Sequence, residues 1–542
     1  MIAKRFIHQT VLALLAALGA VCLGNGIVHV QGFTSLGTLL QVFSPFLITV
    51  LLLSLYTAFA FIPLHSLGAG GTPFSMKVFS LGMALAISWL IFWLSSTTGF
   101  TLSFLVTCSC IGLLLALVFL LGRTPLHGFY ISLLLIPMFT QMSSELPQSL
   151  FHHIPLGPVI VTPAILLVVF SALVVGLTQP IAWDSVPFEP LFFFAVGSYL
   201  FLGLASCFRS PDLWPNLNQW LLDGLYPLLG LFIVLQTVQD ERSWKQCFEG
   251  IMFCAAELAL LGWYFFVRPN PGDVDVRNFY GANLSVSLPS ANLAQLLVLF
   301  LPAVWVAASQ FSGKRKVLFT GVGALFLASI ALSYSRSAQM GMLLSLLLLL
   351  KFRRLRLWIL ALAGALLLFS WILPTQFKQY GMTRFSGPQS HSLWMDNDLL
   401  WRAEAWRGSF QLLKDHPWGV GIGQWARFAP GYTLPRVVKF TEGNQSIFIS
   451  SPHNLFLNFA IETGWIGLAC LLLLFGCLLW SALRPVARPE WAALQYGAFA
   501  GLVAFLVSGF FAANFFSYRL NIVSGLLFWS FAGLIVSKER FV

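Results

Sequence analysis

The sequence predicts an all-α, polytopic integral membrane protein with about 14–16 transmembrane helices and one large loop on the outer side. Three observations lead to this fold class. The 542-residue chain is 58% hydrophobic and 9% charged, with a mean hydropathy of +0.83, which is more apolar surface than a water-soluble core can bury. Apolar runs of membrane-spanning length recur along the chain. Basic residues cluster beside those runs, as is typical of topology signals.

About sixteen apolar runs approach the length of roughly 20 residues that a helix needs to cross a bilayer. The three shortest, at 126–142, 224–238 and 337–350, are also compatible with re-entrant or tilted helices. The N-terminal run begins like a signal peptide, but no polar domain follows it, so we expect a retained first span. The predicted spans cover residues 11–30, 43–63, 77–97, 99–122, 126–142, 155–178, 187–207, 224–238, 247–267, 289–310, 317–333, 337–350, 355–374, 454–483, 491–516 and 521–537.

The basic clusters give the orientation independently. By the positive-inside rule each cluster is cytoplasmic, and counting the spans between them returns to the same side every time. Both termini are then cytoplasmic, and residues 375–452 form one loop of about eighty residues outside the cytoplasm. Loops of this length are usually functional or disordered, and an amphipathic helix near 399–414 favours a folded one. The clusters are Lys4/Arg5, Lys314/Arg315/Lys316, Lys351/Arg353/Arg354/Arg356, Arg484/Arg488 and Lys538/Arg540.

The chain divides into two regions according to where the candidate functional residues lie. Residues 1–270 are N-terminal transmembrane helices to which the sequence assigns no role. Residues 271–542 are a second membrane region that contains the loop and every residue singled out below. The net charge of +11 does not by itself indicate nucleic acid, because the basic excess lies beside the spans.

The junction between the loop and an apolar helix, at residues 450–467, carries the most informative pattern. Ser451 and Pro452 suit the N-cap and first helical position, since proline lacks the N–H that this position leaves unpaired. His453 then lies in the first turn, where the helix end disfavours the imidazolium. We therefore expect a neutral, proton-accepting histidine. From this segment alone, an interfacial anchor is an equally good interpretation.

Polar residues continue into this helix at steps of four. Asn454, Asn458 and Glu462 share one face, and a polar stripe that enters a membrane costs free energy. We interpret the stripe as orienting the helix, and Gly464 and Gly467 as close-packing positions.

Arginines are predicted on the same side of the membrane as His453. Arg336 lies at a turn between two predicted spans, and an arginine costs about 2.5–3.5 kcal/mol at the membrane centre and less near the interface. Arg402 and Arg407 lie on the amphipathic loop helix, where Glu404 is able to pair with one of them. Each arginine also has a structural interpretation, as a snorkelling side chain or a surface ion pair.

Taken together, these residues suit chemistry on a diphosphate. Arg336 and Arg402 offer bidentate, charge-assisted hydrogen bonds to phosphate oxygens, and His453 would deprotonate an acceptor hydroxyl. The sequence offers no convincing acidic or His/Cys cluster, and Asp396 and Asp398 fit a solvated turn better than a metal site. We expect no metal and no cofactor, so arginine would stabilise the charge of the leaving group.

A glycine-rich stretch, Gly419-Val-Gly-Ile-Gly423, resembles a nucleotide-binding loop only superficially. It lacks a preceding strand, a following Lys-Ser/Thr pair and a βαβ setting. We therefore expect no nucleotide site there.

Several short motifs occur in order between about residues 280 and 485. They are Ser290-Ala-Asn292 before Pro302, Ser335-Arg336, Arg402-x-x-x-Trp406, Lys414-Asp-His-Pro-Trp-Gly-Val-Gly-Ile-Gly423, His453-Asn454, and Glu462-x-Gly464 with Gly467. This set resembles the bacterial O-antigen ligase/polymerase superfamily, which includes lipopolysaccharide O-antigen ligases, O-antigen polymerases and protein O-oligosaccharyltransferases.

The resemblance implies a multi-pass glycosyltransferase of the bacterial inner membrane, with its active site in the periplasm. Its donor would be an undecaprenyl-diphosphate-linked glycan, used without metal or nucleotide. By that analogy Arg336 and Arg402 hold the donor diphosphate and His453 activates the acceptor. Arg407 does not fall on the family's arginine position and enters only as a neighbour. The first 270 or so residues lie outside the resemblance.

The motifs do not separate the acceptors. A ligase transfers glycan to lipid A-core, a polymerase to a growing glycan, and an oligosaccharyltransferase to protein Ser or Thr. The segment from His453 to Gly464 looks most like the ligase branch, which we take as the leading hypothesis. A polytopic transporter or flippase is the alternative from another class; the large outer loop and the lack of internal symmetry favour an enzyme.

Overall fold

The structure, a computed structural model, describes part of the chain. Before residue 190 it describes one short hairpin and isolated helical positions between 126 and 133 and between 168 and 176. The remaining described segments are 190–211, 213–267, 283–284, 288–333, 335–352, 356, 397–433, 441–442, 445–446, 452–484, 489–511 and 522–537.

Helices make up most of these segments, which confirms the all-α fold class. They are α1 Pro190–Cys207, α2 Leu213–Trp220, a π-helical turn Leu221–Leu225, α3 Tyr226–Thr237, α4 Glu241–Val267, α5 Ser290–Gln310, α6 Gly313–Leu332, α7 Arg336–Leu349, α8 Asn397–Asp415, α9 Trp425–Tyr432, α10 Leu455–Leu483, α11 Pro489–Phe510 and α12 Ile522–Ser537.

Three small antiparallel hairpins accompany the helices. They pair β1 Ile154–Leu156 with β2 Val159–Val161, β3 Asn283–Leu284 with β4 Leu288–Pro289, and β5 Thr441–Glu442 with β6 Gln445–Ser446. The first hairpin occupies the start of the predicted span 155–178, which is therefore shorter than expected.

The described helices agree with the predicted spans from residue 187 onward. Within the described segments, five helices are long and apolar enough to cross a membrane: Pro190–Cys207, Leu213–Thr237, Leu293–Gln310, Leu455–Leu483 and Trp491–Phe510. The helices Arg336–Leu349 and Val523–Ser537 are shorter and apolar. The predicted spans between 11 and 122 and the span 355–374 lie outside the described residues, except for one position, so the predicted total of 14–16 stays a prediction.

The described residues group into two compact units. One contains residues 232–264 and the described positions before 184; the other contains residues 190–231 and the described residues from 265 onward. Each predicted site residue belongs to the second unit. The division of roles at residue 270 stays a prediction.

Close backbone approaches set the register of the central helices of the second unit. A Cβ on Gly497 would lie 3.0 Å from the Cα of Ala303, and a Cβ on Gly501 would collide with the backbone of Leu299. The order of these contacts makes α5 and α11 antiparallel. Glycine is needed at such positions because a larger residue would push the two helices apart.

α7 also lies antiparallel to α11. A Cβ on Gly341 would collide with the carbonyl oxygen of Ala504, and beyond the other end of α7 the rings of Phe352 and Tyr496 lie 5.4 Å apart. α10 and α12 run parallel, as shown by contacts of Phe475 with Phe528 and of Ser481 with Ile535. α5, α7 and α10 therefore begin, and α11 ends, at one end of the unit, which we call the site end.

α10 is broken at Gly464, where φ is 83° and ψ is −179°. An atom of the Phe459 ring lies 3.5 Å from the position of a Cβ on Gly467, although a straight helix would separate these residues by about 12 Å along its axis. Residues 455–463 therefore fold back towards residues 465–483. The second part is about 28 Å long and fits the roughly 30 Å hydrocarbon core by itself.

The break corrects the prediction of one continuous polar-striped span from 454 to 483. Asn454, Asn458 and Glu462 all precede Gly464, so the apolar part after the break carries none of the stripe. Residues 455–463 instead pack against α8, α9 and the loop between them. This shared core contains Ala405, Leu412, Leu413, Val420, Trp425, Ala429, Leu457, Ala460 and Ile461.

Candidate functional site

α8 confirms the predicted amphipathic helix and presents different residues on its two sides. Ala405 and Ser409 are fully buried on the side that faces the membrane helices. Arg402 lies on this side, and its Nη1 donates a 2.8 Å hydrogen bond to the carbonyl oxygen of Phe511. That carbonyl follows the end of α11, where backbone acceptors have no partner within the helix. The bond fixes the guanidinium at the site end.

Arg407 lies on the opposite, exposed side of α8. Its Nε donates to Oε2 of Glu404 at 2.9 Å, and its Nη1 reaches Gln411 at 3.5 Å. This is the surface ion pair that the sequence left open, and it joins Glu404 to Arg407. The pairing with Glu404 raises the pKa of Arg407 further above its usual range. Its place as a neighbour of the site stays a prediction.

Trp406 fixes α8 against the segment that carries the histidine. Its indole Nε1 donates a 2.9 Å hydrogen bond to the carbonyl oxygen of Pro452, the residue immediately before His453. Its ring also packs edge-on against Phe510, with centroids 5.4 Å apart. Because Trp406 is one helical turn from Arg402, these contacts hold the arginine and the histidine in a defined relation.

His453 lies outside the helix, which corrects the predicted cap. Asn454 is the N-cap, and its side-chain oxygen accepts a 2.9 Å hydrogen bond from the backbone N–H of Leu457. Asparagine competes well for this position because its oxygen lies at the right distance from the third helical N–H. His453 has a φ of 49°, the one positive φ at a non-glycine residue in the described part of the chain.

The surroundings of His453 favour the neutral imidazole. Burial lowers its pKa, and the positive charge of Arg402 lowers it further, to about 4. The sequence predicted a neutral histidine because of the helix end. The structure favours the neutral state for a different reason, since desolvation and a like charge both oppose the imidazolium.

Arg336 begins α7, at the predicted turn between α6 and α7. Gly341 lies level with Ala504, and the antiparallel register then brings Arg336 level with the end of α11 near Gly509. Leu455, at the start of α10, contacts that same glycine position at 3.0 Å. Arg336, Arg402 and His453 thus lie at the same end of the unit although the chain separates them widely. Arg336 is half-buried there.

Asn292, from the motif that opens α5, belongs to this end too. Leu299 lies level with Gly501, so Asn292, about two turns nearer the start of α5, lies level with Ser508. The membrane helices that carry the motifs, α5, α7 and α10, therefore all begin at the site end.

The glycine-rich loop after α8 does not resemble a phosphate-binding loop. Gly419, Gly421 and Gly423 all have positive φ, at 85°, 104° and 71°. Backbone N–H groups from the loop are directed at the break in α10, where the N–H of Gly423 donates to Oε1 of Glu462 at 3.0 Å. The side chain of Asn458 also reaches the Glu462 carboxylate. The stripe residues therefore join the loop to the helix.

Sequence reasoning missed the contacts of Trp406, Pro452 and Phe511 that hold the site together. Trp406 belongs to the motif Arg402-x-x-x-Trp406. Nothing in the sequence identifies its hydrogen-bond acceptor, the carbonyl oxygen of Pro452, 46 residues later. The glycine spacing of the loop was a usable signal for a close backbone approach. Among the described residues, no group of three or more His, Cys, Asp or Glu side chains is arranged to hold a metal ion.

The second unit is thus a bundle of membrane-spanning helices whose site end carries two arginines and a neutral histidine under a small helical cap. Residues 321–472 match the family model of O-antigen ligase, a stretch that includes Arg336, Arg402 and His453. This match confirms the resemblance of this part of the chain to the O-antigen ligase/polymerase superfamily of membrane glycosyltransferases. No curated protein matches the chain.

Proposed function

We propose that the protein transfers a glycan from undecaprenyl diphosphate to an acceptor hydroxyl at the periplasmic face of the inner membrane. The observation that carries this proposal is the convergence of Arg336, Arg402 and His453 at the site end. The family match over residues 321–472 supports glycosyl transfer as the reaction type. The cytoplasmic position of the basic clusters, proposed from the sequence, supports a periplasmic site end.

In the proposed reaction, the neutral Nδ1 or Nε2 of His453 takes the proton of the acceptor hydroxyl. The hydroxyl oxygen attacks the anomeric carbon from the face opposite the diphosphate. The bond between that carbon and the phosphate oxygen breaks, and undecaprenyl diphosphate leaves with the electron pair. Attack from the opposite face inverts the anomeric configuration.

The two arginines would act on the leaving group. The hydrogen bond from Arg402 to Phe511 orients its planar guanidinium at the site end, and a guanidinium is the group that binds phosphate oxygens through paired N–H donors. Arg336 would bind the second phosphate from the start of α7. Fixed positive charges placed where negative charge develops stabilise the transition state without reorganisation, so we propose that no metal ion is required.

The low pKa of His453 fits this role. With a pKa of about 4 the imidazole is neutral at physiological pH, which is the form that accepts a proton. As the imidazolium forms, the nearby diphosphate would offset the repulsion from Arg402. The left-handed backbone at His453 costs roughly 1–2 kcal/mol, and strain of this kind is concentrated at functional sites.

We propose lipid A-core as the acceptor, which makes the protein an O-antigen ligase. The test is deletion of the gene followed by analysis of surface glycans. The proposal predicts unmodified core together with accumulated lipid-linked polymer. Core capped by single repeat units would instead identify a polymerase, and normal lipopolysaccharide with unglycosylated surface protein would identify an oligosaccharyltransferase.

A transport function is separated from transfer by a second measurement. Protein reconstituted in liposomes is given a labelled lipid-linked donor, with and without acceptor. Glycan transfer that depends on the acceptor supports the proposal. Movement of the intact donor across the bilayer without product would favour a flippase.

A further inference from the structure

The loop between α8 and α9 is joined to the break in α10 by four hydrogen bonds. The N–H of Val420 donates to the carbonyl oxygen of Ile461 at 2.8 Å, and the N–H of Gly421 donates to that of Glu462 at 3.1 Å. In the opposite direction, the N–H of Trp465 donates to the carbonyl oxygen of Pro417 at 3.1 Å. The fourth bond runs from the N–H of Gly423 to the Glu462 side chain. We call this set the clasp.

The clasp satisfies the backbone groups that the break exposes. In an unbroken helix the carbonyls of Ile461 and Glu462 would accept from residues 465 and 466. The break at Gly464 removes those donors, and unpaired carbonyls in a buried place cost free energy. The loop supplies the missing donors, so the break and the loop depend on each other.

Only glycine permits this contact. A Cβ on Gly419 would lie 2.6 Å from the N atom of Gly464, and a Cβ on Gly464 would lie 2.5 Å from the carbonyl carbon of Trp418. Both glycines also have positive φ. The two backbones therefore touch directly, and the geometry leaves little freedom for the loop to shift.

α8 and residues 455–463 are in this way tied together at both ends. Near the start of α8, Trp406 bonds the carbonyl of Pro452; after its end, the clasp bonds Ile461 and Glu462. Arg402 lies one turn before Trp406 on α8, and His453 lies next to Pro452. The relation between the two proposed site residues thus depends on a rigid two-point connection.

Glu462 is the one side chain that makes a hydrogen bond in the clasp. Its Oε1 accepts from Gly423, its backbone carbonyl accepts from Gly421, and its carboxylate is also reached by the side chain of Asn458. Glu462 is 7% exposed, so water does not replace a lost partner easily. Its side chain connects the loop, the break and the stripe at one point.

We infer that Glu462 is a positioning residue, which through its bond to Gly423 holds the clasp closed and so keeps Arg402 and His453 in register. It touches neither substrate nor reacting atoms. The role requires an oxygen that accepts a hydrogen bond and does not require a negative charge. Its consequence for catalysis depends on the proposed function, whereas its consequence for the clasp does not.

Two substitutions separate the hydrogen bond from the charge. Glu462→Gln keeps an Oε1 acceptor for Gly423, and Asn458 is able to turn its amide to present an oxygen to the new NH2 group. Glu462→Leu removes the acceptor. Asp223→Asn is a matched control, because Asp223 lies close enough to Glu462 to interact electrostatically but forms none of the clasp bonds.

The first measurement does not depend on activity. Hydrogen exchange of full-length protein in detergent or nanodiscs is followed on peptides that cover residues 417–425. We expect Glu462→Leu to speed exchange there by about tenfold, as for loss of one intramolecular hydrogen bond, while Glu462→Gln and Asp223→Asn exchange like the wild type. Unchanged exchange in Glu462→Leu would overturn the inference.

The second measurement is the pH profile of glycan transfer. When the positions of Arg402 and His453 are no longer fixed relative to each other, water reaches His453 and the positive charge of Arg402 acts on it less strongly. The pKa of His453 then rises, so the pH below which the transfer rate falls should move from about 4 towards 6.5 in Glu462→Leu. Glu462→Gln should keep the wild-type limb and rate. Loss of activity in Glu462→Gln equal to that in Glu462→Leu would show that the charge matters and would contradict a positioning role. A wild-type protein without transfer would contradict the proposed function, and the exchange experiment would still decide the clasp.

Discussion

His453 combines three properties that an anchoring residue does not need. Its backbone is left-handed, its side chain is half-buried, and its pKa is lowered by burial and by Arg402. An interfacial anchor would keep its polar atoms in water and an ordinary pKa. The residue that the sequence left evenly balanced between anchor and base therefore has the environment of a base.

The pH dependence of transfer follows from the lowered pKa. Protonation removes the base, so kcat/KM should be level from neutral pH down to about pH 5 and should fall about tenfold per pH unit below pH 4. The measurement is initial rate against pH with donor below saturation. An acid limb at pH 6.5, the value of an exposed histidine, would contradict the assignment.

The two arginines of α8 make a matched pair for the donor site. Arg402→Lys cannot reproduce both the bond to Phe511 and a planar fork, so we expect a loss of transfer of about 10–100-fold. Arg407→Lys on the exposed side should transfer at the wild-type rate. Donor binding is measured with labelled lipid-linked glycan and reported beside kcat and KM.

Equal effects of the two substitutions would contradict the separation of the two sides of α8. Retention of full donor affinity in both Arg402→Lys and Arg336→Lys would exclude the proposed diphosphate role.

At the scale of elements, α10 differs most from its sequence pattern. A break at Gly464 divides it, and the loop after α8 completes the hydrogen bonds of the break. Apolar runs predicted the described membrane helices well, because hydrophobic length is what a bilayer selects. The break was not predictable from that signal, since it depends on a loop forty residues earlier whose glycines permit contact.

The cap of α10 shows the same limit on local signals. Ser451 and Pro452 match the preferences for an N-cap and first turn, yet Asn454 is the cap. The bond from Trp406 to the carbonyl of Pro452 holds the chain outside the helix until that point. Tertiary contact overrode a weak local preference. The residues of the site were predictable from their types and order, whereas their positioning contacts were not.

Two glycines of α10 test the break directly. Gly464→Ala places a Cβ against Trp418 and Pro417 at a positive φ, and should lower stability by at least about 1 kcal/mol and transfer with it. Gly476→Ala in the same helix meets nothing within 4 Å and should be neutral or slightly stabilising. Thermal unfolding in detergent measures both. Equal melting temperatures would contradict the close contact at Gly464.

At the scale of the second unit, the parallel and antiparallel packing of the helices places several helix ends together at the site end. α5, α7 and α10 begin there and α11 ends there, which brings together residues separated by more than a hundred positions in the chain. The positive-inside rule predicts that this end faces the periplasm, where a lipid-linked donor and a glycan acceptor would meet. The charge pattern and the packing thus support the same account.

Independence from divalent metal follows from the proposed role of the arginines. If arginines supply the charge stabilisation, as proposed, transfer by purified protein should be undiminished in EDTA. The assay compares rates before and after chelation, and then after addition of Mg²⁺. Activity lost in EDTA and restored by Mg²⁺ would contradict the proposed chemistry.

The central claim is that His453 is the base of a glycosyl transfer, and one assay tests it directly. Purified wild-type protein and His453→Ala, both folded and inserted in nanodiscs, are given lipid-linked glycan and lipid A-core, and the product is quantified. We expect the substitution to lower transfer by about 10²–10⁴-fold with donor binding retained, as for loss of a general base. Transfer by His453→Ala at the wild-type rate would contradict the account.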